Sequence, residues 1–226
     1  MSSGILQAQD ADKGTTNSAP LISKPSRDFV MLQFGYNTWL NKPDSVHLKS
    51  FGYSFGGFLC YDFPINKSNF SFATGIGVKV NVVYLDQQLL LTTDTSSRGL
   101  YNVRIAPDTV GYKRDKFVTT YLTAPFELRY FSNNQNRNKG FKAAAGLQIG
   151  TLLGADDKGV HSVGGTTVKD KINTKRFMTS WDFAAIARIG WGNVALYASY
   201  NLTPVFKANE GPQVTPFTAG IVLTGL

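Results

Sequence analysis

The residues best suited to nucleophilic chemistry are His47 and two nearby serines, Ser45 and Ser50. A lipase or acyltransferase would need a hydroxyl nucleophile beside a histidine base, and these residues offer that combination. The other histidine, His161, is far away in sequence, and the lone Cys60 excludes an internal disulfide. Neither histidine has carboxylates or thiols at metal-ligand spacing. Solvated loop positions explain both better, so we predict no catalytic residue, no metal site and no cofactor.

Seven charged residues could also carry chemistry, because each falls on the polar side of a segment whose side chains alternate in character. They are Asp62, Lys79, Glu127, Arg129, Lys142, Asp182 and Arg188. If these segments are strands, all seven face one interior, where buried charges must pair to offset lost hydration. We predict a structural network of ion pairs. A narrow ion path, or a site with perturbed pKa values, is the sharper alternative.

The alternation is clearest in segment 70–84. Its even positions, from Phe70 to Tyr84, are mostly large and apolar, whereas its odd positions, from Ser71 to Asn81, are mostly small or polar. Successive strand side chains point to opposite faces, so this pattern predicts a strand with one apolar and one polar face. The segment is longer than an ordinary strand of roughly 5–6 residues. It is long enough to cross a bilayer, which takes about 9–11 residues.

Eight such segments predict an all-β fold, an eight-stranded antiparallel up-and-down transmembrane β-barrel over residues 29–226. The segments lie near 30–37, 52–63, 70–84, 118–130, 141–150, 181–191, 194–201 and 217–226, and the longer connections at 40–50, 86–117, 154–177 and 203–215. Short turns at one end, long loops at the other and both termini at the short-turn end are typical of bacterial outer-membrane barrels. Loops of this length are rarely structureless, so the second one is expected to extend as a hairpin.

The composition of the two faces indicates which one meets lipid. The polar face is dominated by Gly, Ala, Ser, Thr and Asn, as expected where eight strands leave a lumen that side chains can fill. The apolar face carries no charge and gathers aromatic residues near strand ends, as in membrane girdles. These are Tyr36, Trp39, Tyr53, Tyr61, Phe63, Phe70, Tyr84, Tyr130, Phe141 and Trp191. A soluble barrel with an apolar interior is the alternative. If the apolar face meets lipid, Val78→Arg is expected to impair assembly of the barrel in a membrane, whereas Gly77→Ser is expected to be tolerated.

The amino-acid composition excludes further classes of protein. Only 17% of the 226 residues are charged, and no window holds eighteen consecutive apolar residues, so a transmembrane helix is excluded by pattern. The net charge of +8 comes without a basic helix or a Lys/Arg run, so nucleic acid is not a predicted partner. Residues 1–28 are interpreted as a truncated signal peptide remnant and a flexible lead-in, because 4–9 looks like the tail of a signal peptide.

Basic residues in the long loops point to an acidic surface. Lys and Arg form charge-assisted contacts with phosphate, and lipopolysaccharide presents phosphates at the outer surface. The candidates are Arg98, Arg104, Lys113, Arg114, Lys169 and Lys171. Acidic neighbours dilute this charge, so ordinary solvated loops are the competing interpretation.

The segment 121–131, Tyr-Leu-Thr-Ala-Pro-Phe-Glu-Leu-Arg-Tyr-Phe, resembles the middle strand of the PorT-like family of outer-membrane β-barrels, known mainly from Bacteroidetes-type bacteria. Residues 61–65 with 72–77, 145–147 and 181–183 resemble further strands of that family, so the likeness runs from Phe29 to Leu226. The chain departs from it where Ser199 precedes Tyr200 instead of Arg, and where Leu226 replaces the usual terminal aromatic residue. The resemblance implies a Gram-negative outer-membrane location and no common catalytic motif; some members look like accessory factors in protein secretion.

These observations predict a non-enzymatic, monomeric outer-membrane barrel with a filled lumen and extracellular loops as its interaction surface. Its expected partners are outer-membrane lipid and lipopolysaccharide, with envelope or secretion proteins as further candidates. An accessory component of a secretion or assembly machine is the second hypothesis, a lipid-modifying barrel enzyme the third, and a soluble ligand-carrying barrel the fourth.

Overall fold

Antiparallel strands account for most of the computed structural model, which describes residues 28–49, 51–66, 68–94, 101–108, 114–133, 139–163 and 166–225. The strands are β1 (Asp28–Leu40), β2 (Tyr53–Pro64), β3 (Phe70–Tyr84), β4 (Gln88–Asp94), β5 (Tyr101–Pro107), β6 (Arg114–Phe131), β7 (Phe141–Val163), β8 (Thr166–Asn173), β9 (Trp181–Trp191), β10 (Val194–Asn201) and β11 (Thr215–Thr224); a short 3-10 helix covers Lys175–Phe177. In the described part of the chain, no helix is long and apolar enough to cross a membrane. The proposed lead-in lies outside the described residues, except that Asp28 begins β1.

Eight of the strands close into a barrel, which confirms the predicted fold class. The pairing order is β1, β2, β3, β6, β7, β9, β10 and β11, and β11 pairs back with β1. Followed strand by strand from Asp28, the paired positions return to β1 at Thr38, so the barrel has a stagger of ten residues. Such a stagger tilts the strands, and eight strands leave an interior just wide enough for side chains.

The outer surface of the barrel is apolar. Leu59, Ile76 and Leu196 expose 64%, 54% and 63% of their surface, and similar side chains surround the barrel. A monomer in water rarely presents an apolar surface this continuous, whereas a lipid bilayer requires it. The predicted facing of the eight strands therefore agrees with the structure.

Aromatic side chains border this apolar surface at both ends. The belt beside the short turns includes Tyr61 and Phe63, whose ring centroids are 4.8 Å apart, and Phe70 and Tyr130, at 5.3 Å. The opposite belt includes the exposed Tyr36, Tyr53, Trp181 and Tyr200. The prediction that Trp39 lies on this outer face is wrong. Its side chain is inside the barrel mouth and only 4% exposed. It falls on the odd, inward positions of β1 together with Gln33 and Asn37.

Pro125 does not create the bulge expected of a proline within a closed barrel. The register of β6 against β3 resumes without offset, since Phe126 pairs with Thr74 and Thr123 with Gly77. The missing proline N–H thus interrupts the ladder without inserting a residue. The register shift lies elsewhere, between Thr120 and Tyr121 of β6, opposite the extra residue of β7.

Glycines let neighbouring strands approach within the lumen, and Gly77 corrects another expectation. A Cβ at this position would lie 2.2 Å from the Gly57 carbonyl oxygen and 2.4 Å from Cδ1 of Phe58. One of these atoms belongs to the β2 backbone and cannot yield without separating two paired strands. The predicted tolerance of Gly77→Ser is therefore wrong, because the lumen is closely packed here.

Two of the long loops form hairpins at the end opposite the short turns. The hairpin expected within 86–117 is confirmed as β4 and β5. The loop predicted at 154–177 is largely wrong, because β7 continues to Val163 and pairs with β8. Gly154, Gly159 and His161 belong to β7, so the loop position predicted for His161 is wrong, and Gly164 and Gly165 lie outside the described residues.

Candidate functional site

Four of the charged residues predicted to face the interior meet in one cluster near the short-turn end. Arg129 donates from Nε to Glu127 Oε2 at 2.8 Å and from Nη1 to Asp62 Oδ1 at 2.9 Å. Arg188 of β9 donates to the other Glu127 oxygen. The four side chains are almost fully buried, and their formal charges sum to zero. This cluster, Asp62, Glu127, Arg129 and Arg188, is called the charge quartet below.

A second ion pair lies further toward the barrel mouth. Lys79 Nζ donates to Asp182 Oδ2 at 2.7 Å, and the other Asp182 oxygen accepts a hydrogen bond from the Asn201 amide. Lys79 also lies 5.7 Å from the ring centroid of Tyr121. The pair is again neutral in sum, so two separate layers of balanced charge cross the lumen.

Lys142 is not brought into either layer. It is half-buried near the short-turn end and donates from Nζ to Thr224 Oγ1 at 2.8 Å. Ion pairs between described residues do not include it. Six of the seven predicted charges are therefore joined in pairs, and the seventh binds a hydroxyl.

A layer of neutral polar side chains follows the Lys79–Asp182 pair. Ser54 donates to Asn81 Oδ1 at 2.8 Å, and Thr218 donates to Asn37 Oδ1 at 3.1 Å. The small cavity above this layer is lined by Asn37, Asn81 and Thr119 on one side and by apolar side chains on the other. The side chains that line the lumen thus change from polar to apolar at the barrel mouth.

Apolar side chains from the strand ends and all four long connections cover the mouth. The Trp39 ring makes edge contacts with Phe117 and Phe206, at centroid distances of 5.8 and 6.2 Å. The extracellular cap is defined as the buried Trp39, Val46, Val83, Leu85, Leu90, Val103, Phe117, Tyr121, Leu152, Ala155, Phe177, Met178, Val205, Phe206 and Val214. The cap was not predicted from the sequence, although the apolar residues within the long polar connections could have indicated it.

Hydrogen bonds hold the connections of the cap to one another. Gln88 of β4 accepts from the His47 N–H at 2.7 Å and donates to the Ser45 carbonyl at 2.6 Å. Val103 of β5 donates its N–H to the Glu210 carbonyl at 2.8 Å. The hairpin β4–β5 is therefore fixed over the mouth from both sides.

The candidate nucleophilic pair is built into this same scaffold. The contacts that join His47 and Ser45 to Gln88 involve their backbone atoms, and Ser50 lies outside the described residues. His161 lies 3.2 Å from Asp170 across the β7–β8 hairpin. In the described part of the chain, no three His, Cys, Asp or Glu side chains gather as metal ligands would.

The predicted lipopolysaccharide contacts are only partly described. Arg98 and Lys113 lie outside the described residues, and Arg114 begins β6 without a described side chain. Arg104 is exposed on β5, while Lys169 and Lys171 are exposed on β8. These described basic residues lie on the two extracellular hairpins. Lys171 is 3.3 Å from Asp156, which neutralises part of its charge.

A closed barrel with a lipid-facing apolar surface, aromatic belts and a polar interior defines an integral outer-membrane β-barrel protein. The chain belongs to the family described as outer membrane protein beta-barrel domain, whose model matches residues 11–207. Among solved structures, the N-terminal β-barrel domain of Pseudomonas aeruginosa OprF is 9% identical, with 88% of this chain and 98% of that chain covered and a TM-score of 0.30. A comparison with curated proteins finds no match.

Proposed function

We propose that this protein is a non-enzymatic outer-membrane barrel whose lumen is filled and whose extracellular hairpins form an interaction surface for lipopolysaccharide. The observation that carries the first part is the sequence of layers along the lumen. The charge quartet and the Lys79–Asp182 pair are each neutral and buried, and the cap packs above them. The charges within these two layers are paired, so they do not attract a permeating ion, and the cap covers the path for water above them.

The position of basic side chains on β8 supports the second part. Lys169 and Lys171 have the same parity on a strand that pairs only with β7, and both are exposed beyond the lipid belts. Lys175 and Arg176 follow directly and are also exposed. Lipopolysaccharide carries phosphates at the outer surface, and charge-assisted contacts with ammonium groups suit them.

A double substitution tests this proposal. Lys169→Gln with Lys171→Gln is expected to weaken binding of purified lipopolysaccharide about tenfold, which is about 1.4 kcal/mol, and to reduce its salt dependence. Binding is measured by surface plasmon resonance with the detergent-solubilised barrel. Lys139→Gln is the matched control, because Lys139 is exposed at the opposite end of the barrel. Equal affinity of the double variant and the control would contradict a role for β8.

A second candidate is an accessory role in a secretion or assembly machine, as the PorT-like resemblance implies. Two exposed apolar side chains on the hairpins favour it, Leu91 on β4 and Ile172 on β8, with exposed fractions of 38% and 47%. Either side chain can supply an apolar contact to a protein partner. Site-specific crosslinking from Ile172 in whole cells distinguishes the two functions, because lipid contacts alone would yield no protein adduct.

A further inference from the structure

Two buried carboxyl groups face each other at the barrel mouth. Asp115 of β6 and Asp157 of β7 are only 5% and 6% exposed. Asp115 pairs with Gly159 and Asp157 pairs with Phe117, so the two side chains are neighbours on the inward face of adjacent strands. Oδ1 of each carboxyl has no hydrogen-bond partner within the described residues, and no described ion pair includes either group. Unlike the lumenal charges, this pair has no bound counter-charge.

The pair lies outside the lipid-spanning part of the barrel. Trp181 of the outer aromatic belt pairs with Thr151, and β7 continues from there past the bulge to Asp157. Asp157 pairs with Phe117 of the cap, and the Asp115 carbonyl accepts the Leu85 N–H at 3.1 Å. The two carboxyls are therefore next to the cap and at the base of the β4–β5 hairpin.

Few charges act on this pair from the surrounding elements. Among the described residues they are Asp108, which follows β5, and Lys49, from the connection between β1 and β2. Asp108 opposes ionisation of Asp115, and Lys49 favours it. The Lys158 backbone N–H also donates to Asp157. Burial and mutual repulsion both disfavour two carboxylates side by side, so the pair is most stable when it shares one proton.

We propose that the Asp115–Asp157 pair is a proton-dependent switch that holds the extracellular cap closed. With one proton shared, the two carboxyls carry a single negative charge between them. When that proton is lost, two like charges lie side by side and require hydration. Water then enters beneath the β4–β5 hairpin and separates Leu90 and Val103 from Phe117, which opens the cap while the lipid-embedded barrel stays intact.

The direction of the pH effect follows from burial. Burial raises the pKa of both carboxyls, and the neighbouring Asp115 helps to raise the pKa of Asp157 to about 8. In the opened cap the group returns toward its ordinary value of about 3.9. The closed cap therefore binds more protons between about pH 4 and pH 8. Its stability is greatest at the acid end, falls across this window and levels off above it.

Hydrogen exchange at single amides tests the switch in the whole protein reconstituted in micelles. Between pH 6 and pH 8, the protection factors of the Leu85 and Val103 amides, corrected for intrinsic exchange, are expected to fall by up to about tenfold per pH unit and then to level off. The backbone amide of Leu59, in the middle of the barrel, is the internal reference, and its protection is expected to stay constant.

Substitution of the pair separates the proposal from a general effect of pH. Asp157→Asn removes the group whose pKa lies near 8 and offers an amide N–H to the Asp115 carboxylate, so the fall in protection of Leu85 and Val103 between pH 6 and pH 8 is lost. Asp115→Asn shifts the window to lower pH, and provides a second variant if the first assembles poorly. Asp170→Asn is the control, because Asp170 is partly exposed and pairs with His161; its profile matches the wild type. A flat wild-type profile, or an unchanged slope in Asp157→Asn, would overturn the proposal.

Discussion

Glu127→Gln is expected to lower the free energy of unfolding by about 3–5 kcal/mol, because it leaves two buried guanidinium groups without their common partner. In the native barrel, Glu127 accepts hydrogen bonds from both Arg129 and Arg188, and its side chain is fully buried. Asp62 alone cannot balance both arginines. The measurement is urea unfolding of the barrel in lipid vesicles, followed by the loss of the fast-migrating unboiled band on a gel.

A rim carboxylate provides the control for this change. Asp156→Asn removes ion pairs of 3.3 and 4.0 Å to Lys171 and Lys158, and both lysines are partly exposed. Exposed pairs contribute at most about 1 kcal/mol. If Glu127→Gln unfolds no more readily than Asp156→Asn, the charge quartet does not stabilise the barrel.

Val78→Arg is expected to cost about 2–4 kcal/mol, since it places a charge in the hydrocarbon core. Val78 lies on the outward face of β3 between Leu122 and Gly57 on the neighbouring strands, and 41% of its surface is exposed. Gly77→Ser, on the opposite face, should also impair assembly because its Cβ would collide with the β2 backbone. The readout is the heat-modifiable fraction in outer membranes.

Two conservative substitutions are the controls for Val78→Arg and Gly77→Ser. Val78→Leu keeps the apolar surface, and Gly57→Ala has space on the lipid face, where the nearest described atom is Leu32 Cδ2 at 3.8 Å. Both should assemble like the wild type. Normal assembly of Val78→Arg would contradict the assignment of this face to lipid.

The barrel could be predicted from the sequence because strand periodicity reports facing directly. A position in β3 or β9 has only two possible environments, lipid or lumen, and residue type separates them. The inward positions of Glu127, Arg129 and Asp182 followed from this rule. Trp39 did not, because its size suggested the membrane girdle while its odd position in β1 places it inside.

The extracellular structure could not be predicted in the same way. Beyond Leu152 the bulge at Leu153 reverses which parity faces inward, so Ala155 and Asp157 no longer continue the pattern of Gln148. This reversal made the extension of β7 resemble a loop. The cap depends on contacts between residues of four separate connections, such as Trp39 with Phe206, and no local periodicity encodes such contacts.

The layered interior gives the protein a consistent physical description. Six of the seven predicted lumenal charges form ion pairs, apolar side chains cover the mouth, and basic side chains on the two hairpins are exposed. The Asp115–Asp157 pair lies between the lumenal layers and the hairpins, where we propose that it responds to pH.

The filled lumen is tested most directly by the electrical conductance of the wild-type barrel in a planar lipid bilayer. Insertion is first verified by the mobility difference between boiled and unboiled protein recovered from the bilayer lipid. We expect the inserted barrel to carry no steady current at neutral pH. A stable open channel with defined conductance would contradict it and would identify the lumen as a pore.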